Sequence, residues 1–222
     1  MKRLLTIFFL ALTTLAVNAQ NHFRDNFEGT ALAPEWGFLL QPDSAKHVLC
    51  NGRLRLYGGL FQLKEHQPTT FLSIPQRDSC FQADTRLTLF DTESGDEAGL
   101  CLYRSDSCYV QAFIVNNRSD HRLRLRFQLM SHSWTLADRH IDHQQNEIWL
   151  RMSCDGRFYR FFYSFDGQKF SPLEAIETSL LSDAIARTSD KPLIGLFAFM
   201  GTTKYQAGYS FADFDYFDYQ PQ

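Results

Sequence analysis

Residues Ala207–Tyr219 read AGYSFADFDYFDY, and Asp25–Trp36, near the other end of the chain, read DNFEGTALAPEW. In the first stretch acidic and aromatic residues alternate at the two-residue period of a strand rather than the 3.6-residue period of a helix. A closing strand so dense in Phe, Tyr and Asp predicts a β-sandwich in which the two chain ends meet. Phe214 is expected in the core, and Asp213, Asp215 and Asp218 are expected to be structural rather than catalytic.

The same period runs through the rest of the chain. In Phe81–Leu89 the odd positions are Phe, Ala, Thr, Leu and Leu, and the even ones Gln, Asp, Arg and Thr. In Arg122–Leu129, Leu123, Leu125, Phe127 and Leu129 alternate with Arg122, Arg124, Arg126 and Gln128. Both patterns belong to half-buried antiparallel strands. Further strands are predicted at Arg53–Tyr57, Ala98–Tyr103, Tyr109–Val115, Ile148–Ser153, Phe158–Ser164 and Leu193–Met200. Asn51-Gly52, Asp155-Gly156 and Asp166-Gly167 supply hairpin turns, because these pairs tolerate the positive φ that such turns demand. Only Ser179–Arg187 carries a helical pattern. No Pro-, Gly- or Ser-rich linker divides the chain, so residues 20–222 are expected to form one all-β domain, a two-sheet antiparallel sandwich.

Residues 1–19 read as an export signal. Lys2 and Arg3 form the basic start, Leu4 to Leu15 the apolar core, and Val17-Asn18-Ala19 the cleavage site before Gln20. The apolar stretch is short for a bilayer. The mature chain is therefore expected to be exported from a bacterium, periplasmic or extracellular, without a membrane anchor. A net charge of −3 gives no reason to expect nucleic acid as a partner. The five cysteines, at 50, 80, 101, 108 and 154, are neither even in number nor regularly spaced. A turn at Ser105-Asp106 would pair Cys108 with Tyr103 and Cys101 with Val110, which sets those two sulfurs diagonally, so mostly buried free thiols are expected.

These motifs together resemble the concanavalin A-like domain at the C-terminus of family 43 β-xylosidases and arabinofuranosidases. The matching residues are the Asp25–Trp36 stretch, Gly52-Arg-Leu-Arg-Leu56, Pro68-Thr-Thr-Phe-Leu72, Phe81-Gln-Ala-Asp-Thr85, Ala98-Gly-Leu100 and Leu150-Arg151. They continue with Tyr159-Arg-Phe-Phe-Tyr-Ser164, Asp166-Gly167, Gly195-Leu-Phe197 and Phe214-Asp-Tyr-Phe217. The resemblance implies a jelly-roll sandwich with a concave face. In those enzymes the catalytic machinery sits on a separate N-terminal five-bladed propeller, and the sandwich packs beside it. Here the export signal is expected to lead directly into the sandwich, which points to an accessory or sugar-binding role.

A glycosidase needs two carboxylates, about 5 Å apart for retention or about 6.5–9.5 Å for inversion. The E-x-D-x-x-E strand of the sandwich glucanases is absent, as are G-x-S-x-G and H-E-x-x-H motifs. The cluster Asp91, Glu93, Asp96 and Glu97 surrounds Ser94-Gly95 and reads as a solvated turn. His140 and His143 have metal-ligand spacing but read as solvated surface side chains. For sugar binding, Trp149, Trp134, Tyr103 and Tyr109 are candidate stacking platforms, with Arg124 and Arg126 to fix hydroxyls. Trp36 is expected in the core. Asp25, Asp213 and Asp215 are candidate ligands for a structural calcium ion where the chain ends meet, with strand-end caps facing water as the competing reading.

The expectation is an exported, carbohydrate-associated sandwich that binds oligo- or polysaccharide of the xylan or arabinan type, or assists a glycoside hydrolase. The alternatives are a small hydrolase with a carboxylate pair on the concave face, and a non-catalytic subunit docking on a separately encoded propeller glycosidase.

Overall fold

The computed structural model describes residues 22–40, 47–65, 67, 69–89, 95–117, 120–142, 145, 147–201 and 210–222. The expected export signal, Asp91, Glu93 and His143 lie outside the described residues. Among the described residues there are fifteen strands: β1 (Phe23–Asp25), β2 (Gly37–Phe38), β3 (His47–Cys50), β4 (Arg53–Tyr57), β5 (Thr70–Pro75), β6 (Cys80–Leu89), β7 (Asp96–Ser105) and β8 (Cys108–Asn117). The rest are β9 (Asp120–Leu129), β10 (His132–Ile141), β11 (Glu147–Asp155), β12 (Phe158–Ser164), β13 (Ser171–Glu177), β14 (Leu193–Phe199) and β15 (Phe211–Pro221).

They form two antiparallel sheets, in the orders β13-β12-β11-β6-β15-β4-β3 and β10-β9-β8-β7-β14-β5-β2. In the first sheet β15 pairs with β6 along one side, and with β4 and then β1 along the other. The chain ends therefore meet, with Asp25 opposite Phe217. Leu54, Phe81, Leu87, Leu150, Phe161 and Phe214 from one sheet interdigitate with Leu72, Leu100, Val110, Leu125 and Leu196 from the other, and all are fully buried.

The closing strand departs from strict alternation for a visible reason. Unbroken alternation from Asp213 would put Phe217 and Tyr219 on the aspartate face. A bulge at Asp215 shifts the register by one, so that Phe214, Phe217 and Tyr219 all point into the core while Asp213, Tyr216 and Asp218 stay outside. Two more bulges lie on the outermost strands, at Leu136 on β10 and at Leu173, beside Pro172, on β13.

In the second sheet β5, β7, β8 and β14 are buried on both faces, whereas β9 is half-buried and β10 largely exposed. On its outward side Phe71, Cys101, Tyr103, Tyr109, Phe113, Val115 and Phe197 form a smaller cluster capped by Leu63. Leu63 begins the short 3-10 turn Leu63–Glu65. Gly99 and Gly195 sit in this face because a Cβ there would meet the Ala112 and Leu72 carbonyl oxygens at 2.1 and 2.0 Å.

Some expectations need correction. The β7–β8 turn lies at Asp106-Ser107, one residue later than expected, because a bulge at Arg104 sets Ser105 opposite Cys108 and Tyr103 opposite Tyr109. Cys101 belongs to the outward cluster and Cys108 to the core, and all five cysteines are free. Asp96 and Glu97 are buried strand residues rather than a solvated turn. The Ser179–Arg187 helix is reduced to a 3-10 turn, Thr178–Leu181, and one helical turn, Asp183–Ala186, closed by Arg187 at φ 53°.

Candidate functional site

The outward face of the first sheet carries rows of carboxylates closed by arginines. Asp84 on β6 stands directly opposite Asp218 on β15. Arg151 donates to both oxygens of Asp84, from Nε and Nη2 at 2.8 Å each. Asp218 is held by His22 at 2.7 Å, Arg24 at 2.9 Å and Gln220 at 2.8 Å. Burial pushes the Asp84 carboxyl above the usual carboxylate range, against the pull of Arg151 and with Asp218 adding to the rise. Tyr216 beside them is pushed up to about 12, by burial first and by Asp84 second.

Further along the same face Arg55 forks onto Asp213 at 2.7 and 2.8 Å. Asp215 forms ion pairs with Arg53 at 2.9 Å and Arg86 at 2.7 Å, and Arg86 also reaches Glu147 at 2.6 Å. The guanidinium groups in turn lie over aromatic rings. Arg151 sits 3.7 Å from the Phe170 centroid, Arg55 3.9 Å from Phe211, and Arg86 and Arg24 each 4.8 Å from Trp149 and Tyr216. A glycosidic carboxylate pair must leave room for a sugar or a water between its members. Here the oxygens of Asp84 and Asp218 already accept bonds from side chains of the same face.

The three candidate calcium ligands already have partners of their own. Asp25 accepts the Phe27 N–H at 2.8 Å and the Trp36 Nε1–H at 2.9 Å, while Asp213 and Asp215 face arginines. Calcium needs six to eight oxygens free to coordinate it. Among the described residues no group of three or more His, Cys, Asp or Glu side chains is arranged for a metal. The residues present do not fit the ion. Trp36 is half-buried and packs against the edge of the core, with ring centroids about 5–6 Å from those of Phe23, Phe27 and Phe217.

The candidate sugar-binding residues fall into three places. Trp149 lies on the outward face of the first sheet, under Arg86 and against Gly167. Trp134 lies on β10, 44% exposed and stacked on Phe127 and His132. Tyr103, Tyr109, Arg124 and Arg126 share the outward face of the second sheet. There Tyr109 is 1% exposed beneath Leu63, so it is a core residue rather than a platform. Arg126 lies 4.4 Å from the Phe113 centroid and grips Glu97 through two bonds, while Arg124 pairs with Asp138 at 3.3 Å. His140 Nδ1–H donates to the Asp120 carboxylate at 2.9 Å.

Sequence reading missed the Asp84–Asp218 pair and the Glu97–Arg126 pair. The even positions of β6 did mark Asp84 as outward-facing, but the register that sets it opposite Asp218 depends on the bulge at Asp215.

An all-β chain with two antiparallel sheets, outward rows of paired charges and ends joined at β1–β15 defines a concanavalin A-like sandwich. Residues 24–220 match the beta-xylosidase C-terminal concanavalin A-like domain. The chain belongs to that family. It is 28% identical over 210 residues to a putative beta-xylosidase of Escherichia coli (strain K12), covering 90% of this chain and 38% of that protein. Among the solved structures that share the fold, two serve as examples. One is a GH43 protein of Bacillus licheniformis, with TM-score 0.79 and 23% identity. The other is a GH43 protein of Bacteroides ovatus from a xyloglucan locus, with TM-score 0.80 and 21% identity. In both, 90% of this chain matches 39% of the other. The chain thus spans about two fifths of the relatives it matches.

Proposed function

We propose that the chain is an exported accessory sandwich that works with a family 43 glycosidase on xylan- or arabinan-type glycans and has no hydrolytic site of its own. The reading rests on one observation above all: the outward carboxylates Asp84, Asp213, Asp215 and Asp218 each accept from or pair with arginine. Such a face is suited to binding and docking. Family membership and the names of the relatives supply the glycan class.

A second reading, a small hydrolase, has one feature in its favour. Asp84 and Asp218 are cross-strand neighbours, and burial favours the protonated form of Asp84, as a general acid requires. The two separate in one experiment. The purified chain is incubated with xylan, arabinan and aryl β-xylosides, alone and with a family 43 catalytic domain. The accessory reading expects no product from the chain alone and co-purification with the catalytic domain. Turnover by the chain alone, lost in Asp84→Asn or Asp218→Asn, would overturn it.

A further inference from the structure

At one end of the second sheet, a half-open cavity of about 550 Å³ lies between the β7–β8 turn and the segment leading into β14. Its volume is that of a small-molecule site, about 300–1,000 Å³. Leu39, Pro75, Tyr103 and Leu193 line it with apolar surface. Three of these come from one row of the sheet, in which Leu193 is paired with Tyr103 on one side and Pro75 on the other.

The wall is fixed by a buried arginine. Arg104, 5% exposed, donates to the Asp190 and Thr188 carbonyls and to the Asp183 carboxylate, and so holds residues 183–190 against the sheet. Its Nε is buried with no hydrogen-bond partner among the described residues. Tyr103 donates to Asp106 at 2.5 Å, which locks its ring. Burial, with Asp106 next, drives the Tyr103 hydroxyl far above its ordinary value, so it remains a neutral donor.

Four charged residues line the cavity, Arg104 and Lys191 against Asp106 and Asp190. They balance in sign, so the site has no reason to select an anion or a cation. An apolar floor with a polar, charge-balanced rim suits a ligand with C–H faces and many hydroxyls. We infer that this cavity binds the end of a short neutral oligosaccharide, with its C–H surface on Tyr103, Leu193 and Pro75 and its hydroxyls at Asp106 and Lys191. This inference rests on the accessory reading above for the choice of pentose sugars.

The test is an amide-resolved NMR titration of the full chain with xylobiose and with arabinobiose, up to about 10 mM. Saturable shifts are expected at the amides of residues 103–106 and 188–191. Lys191→Ala, at an exposed position, is expected to weaken binding by roughly five- to ten-fold with an unchanged thermal midpoint. Thr188→Trp, which fills the cavity, is expected to abolish the shifts. An absence of saturable shifts in the parent chain, shifts centred on Trp149 or Trp134, or undiminished binding in both variants would overturn the cavity assignment and leave the accessory reading standing. Release of monosaccharide in the same samples would instead overturn the accessory reading, wherever the shifts fall.

Discussion

Asp25 shows how one carboxylate organises the start of the domain. One oxygen accepts the Phe27 N–H and the other the Trp36 indole N–H. The first bond helps hold Phe27 at φ 56°, a conformation that strains a bulky residue, and delivers its ring to the core at 2% exposure. The second orients the indole among Phe23, Phe27 and Phe217. Asp25→Ala leaves both donors without their partner, and a loss of roughly 2–4 kcal/mol is expected by urea denaturation. Asp25→Asn keeps an acceptor and should lose less, and equal losses in both variants would show that the carboxylate shape does not matter. The importance of Asp25 and Trp36 was legible in the motif they open and close. Their bond was not, because a motif gives the order of residues and not which atoms meet.

At the scale of elements, alternation was clearest in the strands with one wet face, although β7, β8 and β14, buried on both faces, were also read as strands. Strands β6, β9, β11 and β12 were legible because their burial alternates. β10 was not, since eight of its ten residues are exposed and its sequence has little to alternate. The hairpin turns were legible for a physical reason. Asn51 and Gly52 have φ 53° and 68°, and Gly156 and Gly167 have 85° and 70°. The Asp155-Gly156 turn also carries a pH dependence. The Asp155 carboxylate accepts from the Phe158 and Arg157 N–H groups and from Arg160, which hold it at about 2. Its folded value lies below the unfolded one, about 3.9. Its stabilisation is therefore complete above pH 4 and is lost as the pH falls towards 2. Asp155→Asn should lower the melting midpoint at pH 7 and converge with the parent chain near pH 2. A gap that stays constant with pH would exclude the carboxylate charge as its cause.

For the whole molecule, the decisive feature is that the outward face of the second sheet is not open along its length. Alternation placed Arg124 and Arg126 outside correctly, but it could not show that Leu63 folds back over Tyr109 and Phe113. Beneath that cover Glu97 and Arg126 neutralise each other, with side chains 8% and 16% exposed. Arg126→Ala would strand a buried carboxylate, and roughly 3–5 kcal/mol of destabilisation is expected from calorimetric melting. Replacing both partners, in Glu97→Leu with Arg126→Met, should recover most of that loss. A double variant as unstable as the single one would mean that the pair holds the cover in place by more than charge balance.

The bulges at Leu136 and Leu173 have a further consequence for the crowd of identical chains in which any protein is made. β10 and β13 each form one of the two edges of their sheets, and a flat terminal strand offers its backbone to the next molecule as a template. Each of these strands is kinked at its middle, one of them beside a proline that has no N–H to give. At these two edges the sandwich should thus end instead of continuing into fibres. Deleting Leu136 to straighten β10 is expected to make concentrated solutions scatter light, and a variant that stays clear would show that the border is guarded by other means.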